Sequence, residues 1–247
     1  MIEDLPDGLD ALRQELDLQQ IMRLIERTAR WVDPETFHLL PLWYPEFARG
    51  TYYYNADWSA PRMNTNQQTK KTDPKREGNV HASKALTAAL GLRSGDRPNW
   101  SCCHIWGIDD GKYQAPNVII QDRKYFSCVA NMVLLPSPLK AFTDAMIEVK
   151  AMLRICARNL YGWHCDHEEI RKAVALIDSW HDWDAYPASW PKKSGDSQPM
   201  GVIKLDKTIR QNAKRRLERI RNDLDGAGEF YPREEVRDTL AHWKITI

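Results

Sequence analysis

The sharpest constraint in this chain is a change of period between residues 131 and 163. The segment "NMVLLP" is a short continuous apolar run with the length of a buried strand, and it closes at Pro136. It passes directly into "SPLKAFTDAMIEVKAMLRICARNLYGW". There Leu139, Phe142, Met146, Val149, Met152, Leu153, Cys156 and Leu160 recur on one broad face, which predicts a strong helix. An upstream strand candidate is "WSCCHIWGI", starting at Trp100. The turn-rich "DDGKYQAPN" comes after it, and "VIIQDRKYFSCVANMVLLP" holds one or two further strand-like runs.

Helical patterns fill most of the remainder. Leu9, Leu12, Leu16, Leu18, Ile21, Leu24, Ile25 and Val32 predict a leading amphipathic helix over 8–32. A proline-rich stretch, a tyrosine triplet with strand character and a polar, basic loop over 59–78 come next. Further helices are predicted over 79–92, with Asn79 as N-cap, and over 167–182, 202–224 and 233–243. The expected fold class is α+β and mostly helical, with a small two-stranded ribbon and its helix embedded among helices. This divides the chain into three regions: 1–97, helical with a basic loop; 98–165, the strand, strand, helix unit; and 166–247, helical again.

Composition narrows the function classes. With 247 residues, 43% hydrophobic, and no apolar run of membrane-spanning length, the chain reads as a globular protein of the cytoplasm with no membrane partner. A formal net charge of +1 gives no global field toward nucleic acid, so any such contact must come from local patches. Two are present, "KKTDPKR" and "KLDKTIRQNAKRRLERIR". They nominate Lys70, Lys71, Lys75 and Arg76, with Arg210, Lys214 and Arg215 on the basic helix, and Lys84 on the helix after the loop. A solvated face is the alternative for the helix. Five cysteines at irregular spacing fit free thiols or metal ligation better than a disulfide framework.

His104 sits between Trp100 and Trp106 and next to Cys102 and Cys103. Taken alone it is a core histidine donating to a backbone carbonyl, and Asn131 taken alone is a helix cap or turn former. In order, however, "CHIWG", a second strand, "ANMVLLPSP" and a helix resemble the ββα-metal (HNH-type) nuclease motif over about residues 98–160. The resemblance implies a metal-dependent DNA endonuclease of restriction or phage-defence type. It makes His104 the general base and Asn131 the orienter or metal ligand, with Mg2+ or Mn2+ as cofactor. Asp144 is the nearby oxygen available as a further metal ligand, DNA is the partner, and cutting both strands calls for a twofold homodimer. Cys103 stands where the family commonly has Asp or His, and the family's paired Cys-x-x-Cys ribs are missing.

A second class of function is a non-catalytic module that binds nucleic acid or protein. "GWHCDHEE" places His164, Cys165 and His167 together, and Cys128 or His104 with one of the adjacent pair Cys102 and Cys103, which point to opposite faces of a strand, adds donors for a structural Zn2+. Glu77, Asn79, His81 and Lys84 cluster at the start of the predicted 79–92 helix, whose backbone N–H groups offer a place for a phosphate; a capped surface helix is the plainer reading.

Overall fold

The computed structural model describes residues 7–107, 117–178 and 184–247. The fold is mixed α+β, about half helical, with its strands in small two-stranded sheets. In chain order the elements are α1 (Gly8–Glu15), α2 (Leu18–Thr28), β1 (Trp31–Val32), α3 (Pro34–Leu39), β2 (Met63–Thr65), β3 (Thr72–Pro74) and α4 (Val80–Ala89). Then come β4 (Trp100–His104), α5 (Val118–Gln121), α6 (Arg123–Phe126), β5 (Met132–Pro136), α7 (Lys140–Ala145) and α8 (Ile147–Tyr161). The chain closes with α9 (Arg171–Asp178), β6 (Val202–Ile203), α10 (Lys207–Gly226) and α11 (Arg233–His242). The helix expected over 167–182 corresponds to α9, and residues 179–182 lie outside the described residues.

Several expected elements are divided by local chemistry. The leading helix breaks at Asp17, whose carboxylate accepts the Gln20 N–H while the Gln20 side chain accepts the Asp17 N–H, a reciprocal cap that starts α2. The long helix after β5 breaks at Met146, which is extended, so α7 and α8 are separate; Gly162 in the left-handed region ends α8. The apolar "VIIQ" is helical rather than a strand, and the polar loop folds into the β2–β3 hairpin, an antiparallel pair exposed throughout. Of the tyrosine triplet, Tyr52 and Tyr54 make isolated bridges to Arg76 and Pro61.

β4 and β5 pair antiparallel, with His104 opposite Met132 and Trp100 opposite Pro136. β5 is buried from Met132 to Leu135, and Arg30 pairs with Leu134 on its other edge, so the ribbon is the centre of the core and not an appendage. Side chains from all three regions, from Ile21 through Leu153 to Leu240, join one hydrophobic cluster. α8 covers it with Val149, Met152, Leu153, Cys156 and Ala157, each at most 1% exposed.

Two buried joints fix the ends of the chain to this centre. Asp33 caps α3 by accepting the Glu35 N–H and also accepts the Leu205 N–H, which draws the approach to α10 onto β1. β1 runs parallel to β6, and the Trp31 N–H donates to the Gly201 carbonyl at 3.0 Å. A Cβ at Gly201 would meet the Ala29 carbonyl oxygen at 1.8 Å. Gly201→Ala is therefore expected to lower stability by about 1–3 kcal/mol through forced backbone movement. The denaturant midpoint measures it, and an unshifted midpoint would mean the β1–β6 joint is slack.

Candidate active site and basic groove

His104 lies at the end of β4, half-buried, with its ring against Phe126 at 5.7 Å. Its Nε2 is 2.9 Å from the Phe126 carbonyl oxygen. A carbonyl only accepts, so Nε2 carries the proton and Nδ1 carries the lone pair. Burial pushes the imidazole down to about 4; the Phe126 carbonyl opposes this, and Arg49, Lys150 and Lys140 reinforce it by their charge. The ring is thus a neutral base of fixed tautomer at neutral pH, within the field of three cations.

Residues 105–107, immediately after His104, are held by two side chains. Asn131, 0% exposed, accepts the Trp106 N–H on Oδ1 at 2.6 Å and donates from Nδ2 to the Tyr125 carbonyl at 3.2 Å. Its own carbonyl accepts the Ile105 N–H at 2.9 Å. From α8, buried Arg154 donates to the carbonyls of Ile105 at 3.1 Å and Gly107 at 2.8 Å, with its guanidinium 5.5 Å from the Trp106 ring. Asn131 and Arg154 therefore clamp this segment and with it the end of β4. Sequence reasoning named Asn131 but missed Arg154. The available signal was an arginine between Met152, Leu153 and Cys156 on the buried side of a helix.

The two nominated ligands, Asn131 and Asp144, do not fit magnesium. Mg2+ takes hard oxygen ligands in near-octahedral array. The Asn131 amide oxygen is taken by a backbone N–H inside the core, and Asp144 is paired with Lys140 one turn away. The Asn131 amide is thus spent on the backbone of Trp106 and Tyr125, and Asp144 holds a lysine. For zinc, no three His, Cys, Asp or Glu side chains among the described residues converge into a group that could hold a metal. His167 instead accepts the Glu169 N–H, and all five cysteines are free and buried, with the Cys103 and Cys165 thiols pushed up to about 12 by burial.

The nominated basic residues fall into three places. Lys70 and Lys71 occupy the tip of the β2–β3 hairpin, where Lys71 pairs with Asp73. Lys75 and Arg76 lie at its base over the rings of Tyr53 and Tyr52, at 4.9 and 4.7 Å. Arg210 and Lys214 stand on exposed faces of α10, Lys214 near Glu218. Lys84 and Arg215, by contrast, come together. They line a groove of about 610 Å³ between α4 and α10, joined there by Arg97, Arg216 and Arg219, and no carboxylate among the described residues lines it. Trp43, 1% exposed, also lines the groove, and neither its indole N–H nor the Arg97 Nε–H has an acceptor among the described residues. Arg97 was not nominated, since a lone arginine in "SGDRPNW" carries no pattern.

The phosphate seat expected at the start of α4 is already filled. The Glu77 carboxylate accepts the Val80 N–H at 2.6 Å, while Asn79 in the N-cap position makes no side-chain cap. No helix among the described residues is long and apolar enough to cross a membrane. The chain matches no known protein family, no curated protein and no solved structure.

Proposed function

We propose that this protein is a nucleic-acid phosphodiesterase built on an HNH-like frame, with His104 as the general base. The observation that carries the reading is the place of the ring, at the end of a paired strand that Asn131 and Arg154 clamp and within the field of Arg49, Lys150 and Lys140; its Nε2–H bond to the Phe126 carbonyl, which a core histidine also makes, leaves Nδ1 unprotonated. A histidine in that state takes the proton of an attacking water or sugar hydroxyl. The positive charge acting at the ring comes from Arg49, Lys150 and Lys140, groups suited to a phosphate. The basic α4–α10 groove supports a sugar-phosphate backbone as the substrate. Five buried free thiols accord with a reducing compartment, and we infer the cytoplasm.

The test is incubation of supercoiled plasmid, single-stranded DNA and RNA with wild type and His104→Ala, in Mg2+, Mn2+ and EDTA. Cleavage lost in the variant supports the reading, and cleavage equal in both removes His104 from the chemistry. Cleavage that persists in EDTA fits Asn131 and Asp144 being spent on other partners.

A binding module without catalysis is the second reading, favoured by the groove, which needs no reaction to hold a backbone. Arg97→Ala and Arg215→Ala are each expected to weaken DNA binding independently of sequence. Each should reduce the slope of log K against log salt by about 0.9 for double-stranded DNA, as counterion release requires. Filter binding across a salt series measures it, and an unchanged slope would take that residue off the backbone.

A further inference from the structure

A second histidine has the more enclosed surroundings. His81 on α4 is 7% exposed, and its Nδ1 is 2.5 Å from Oε2 of Glu77, whose side chain is fully buried. The imidazole stacks on Phe47 with centroids 3.6 Å apart and planes within 4°, and Tyr44 and Tyr53 flank it at 5.1 and 5.3 Å. Burial lowers the histidine pKa despite the carboxylate, whose charge and hydrogen bond pull the other way. For Glu77 burial acts upward, but the His81 hydrogen bond and the Val80 amide help bring the net shift below the ordinary value. Near neutral pH the pair is therefore a carboxylate accepting from Nδ1–H, with the lone pair on Nε2.

His81 lines a cavity of about 260 Å³ and Glu77 does not; with Nδ1 taken by Glu77, Nε2 is the ring nitrogen left to accept a hydrogen bond. Tyr53, Tyr54 and Trp58 are the aromatic residues besides Tyr44, Phe47 and His81 that line it. Four cations reach the cavity; Arg216 pairs with Glu46 and Arg219 with Asp223, which leaves Arg62 and Lys84 as its uncompensated positive charges among the described residues. Tyr44, Lys84, Arg216 and Arg219 line both this cavity and the basic groove, so the two adjoin across a shared wall. Flat aromatic faces, unmatched cations and one fixed acceptor are the groups that hold a base, a phosphate and a hydroxyl or amino donor.

We propose that this cavity is a nucleotide-binding site in which Tyr53, Tyr54 and Trp58 take the base, Lys84 and Arg62 take the phosphate, and His81, positioned by Glu77, accepts a hydrogen bond from the nucleotide. The site stands apart from His104 and requires no cleavage.

The experiment is titration of the full chain with adenosine 5′-monophosphate, adenosine and inorganic phosphate, read by calorimetry and by the imidazole NMR signals of His81. Those signals are assigned by their loss in His81→Gln. The expected result is that the monophosphate shifts the His81 signals and binds at least about tenfold tighter than adenosine or phosphate alone. His81→Gln and the exposed Lys84→Met should each weaken it about five- to thirtyfold at low salt, with Lys84→Met keeping the wild-type denaturant midpoint. Lys84→Met keeps the test open if His81→Gln fails to fold.

Monophosphate binding that leaves the His81 signals unmoved, phosphate binding as tight as the monophosphate, or no binding at all would each overturn the proposal. His104→Ala should bind the monophosphate like wild type, so failure here and failure of the nuclease reading are separately visible.

Discussion

His104→Ala should lose about 10²–10⁴-fold of the cleavage rate, the usual contribution of a positioned general base. The fold should survive, because the ring gives up one bond to a backbone carbonyl and a stack on Phe126 while Asn131 and Arg154 still hold the strand end. His104→Asn, which keeps more of the volume, separates a packing loss from a chemical one. The pH profile adds a signature. With the imidazole pushed down to about 4, the base is already deprotonated at pH 6, so the acid limb of the rate should fall near 4 instead of near the ordinary 6.5. Stability obeys the same linkage. Below 6.5 the unfolded chain binds a proton that the folded one refuses until about 4, so this residue makes stability decline as pH falls through that window, and leaves it flat above. His104→Ala should remove that part of the acid sensitivity. Wild-type and variant urea midpoints compared at pH 4.5 and 7.5 measure it, and equal acid losses would place the histidine in solvent.

Local pattern is a sound guide wherever a single segment decides its own conformation. The β4 strand, the β5 run, α4, α10 and α11 lie close to where their periodicity puts them. "VIIQ" went the other way because four apolar residues fit a buried strand and a buried helical turn equally well. The breaks at Asp17 and Met146 interrupt patterns whose apolar face continues across them, so periodicity runs straight through both. The site was legible in its named residues and not in their partners. Asn131 was visible, but that both ends of its amide are spent on backbone 25 and 6 residues away is a property of packing. Likewise Glu46 and Arg216 meet across 170 residues, and nothing near either one announces it.

That last pair sets the other large effect. The Arg216 guanidinium grips both carboxylate oxygens of Glu46, with side chains 11% and 1% exposed, and its Nε donates to the Trp43 carbonyl. Its face lies 4.4 Å from the Tyr44 ring, and the Tyr231 hydroxyl donates to the same carboxylate at 3.2 Å. Burying two charges is itself costly, so the pair adds little net stability over a matched apolar pair; removing one partner strands the other. Glu46→Leu is therefore expected to cost about 3–5 kcal/mol, because it leaves a guanidinium and a phenol without their acceptor. Arg216→Met should cost a similar amount by leaving Glu46 unpaired, while the double variant Glu46→Leu with Arg216→Met should recover much of the loss. Urea midpoints of the four proteins close the cycle, and additive losses would mean that the two charges do not depend on each other. The same double variant removes charge from the wall shared by the groove and the His81 cavity, so its nucleotide and DNA affinities can be read on a folded protein.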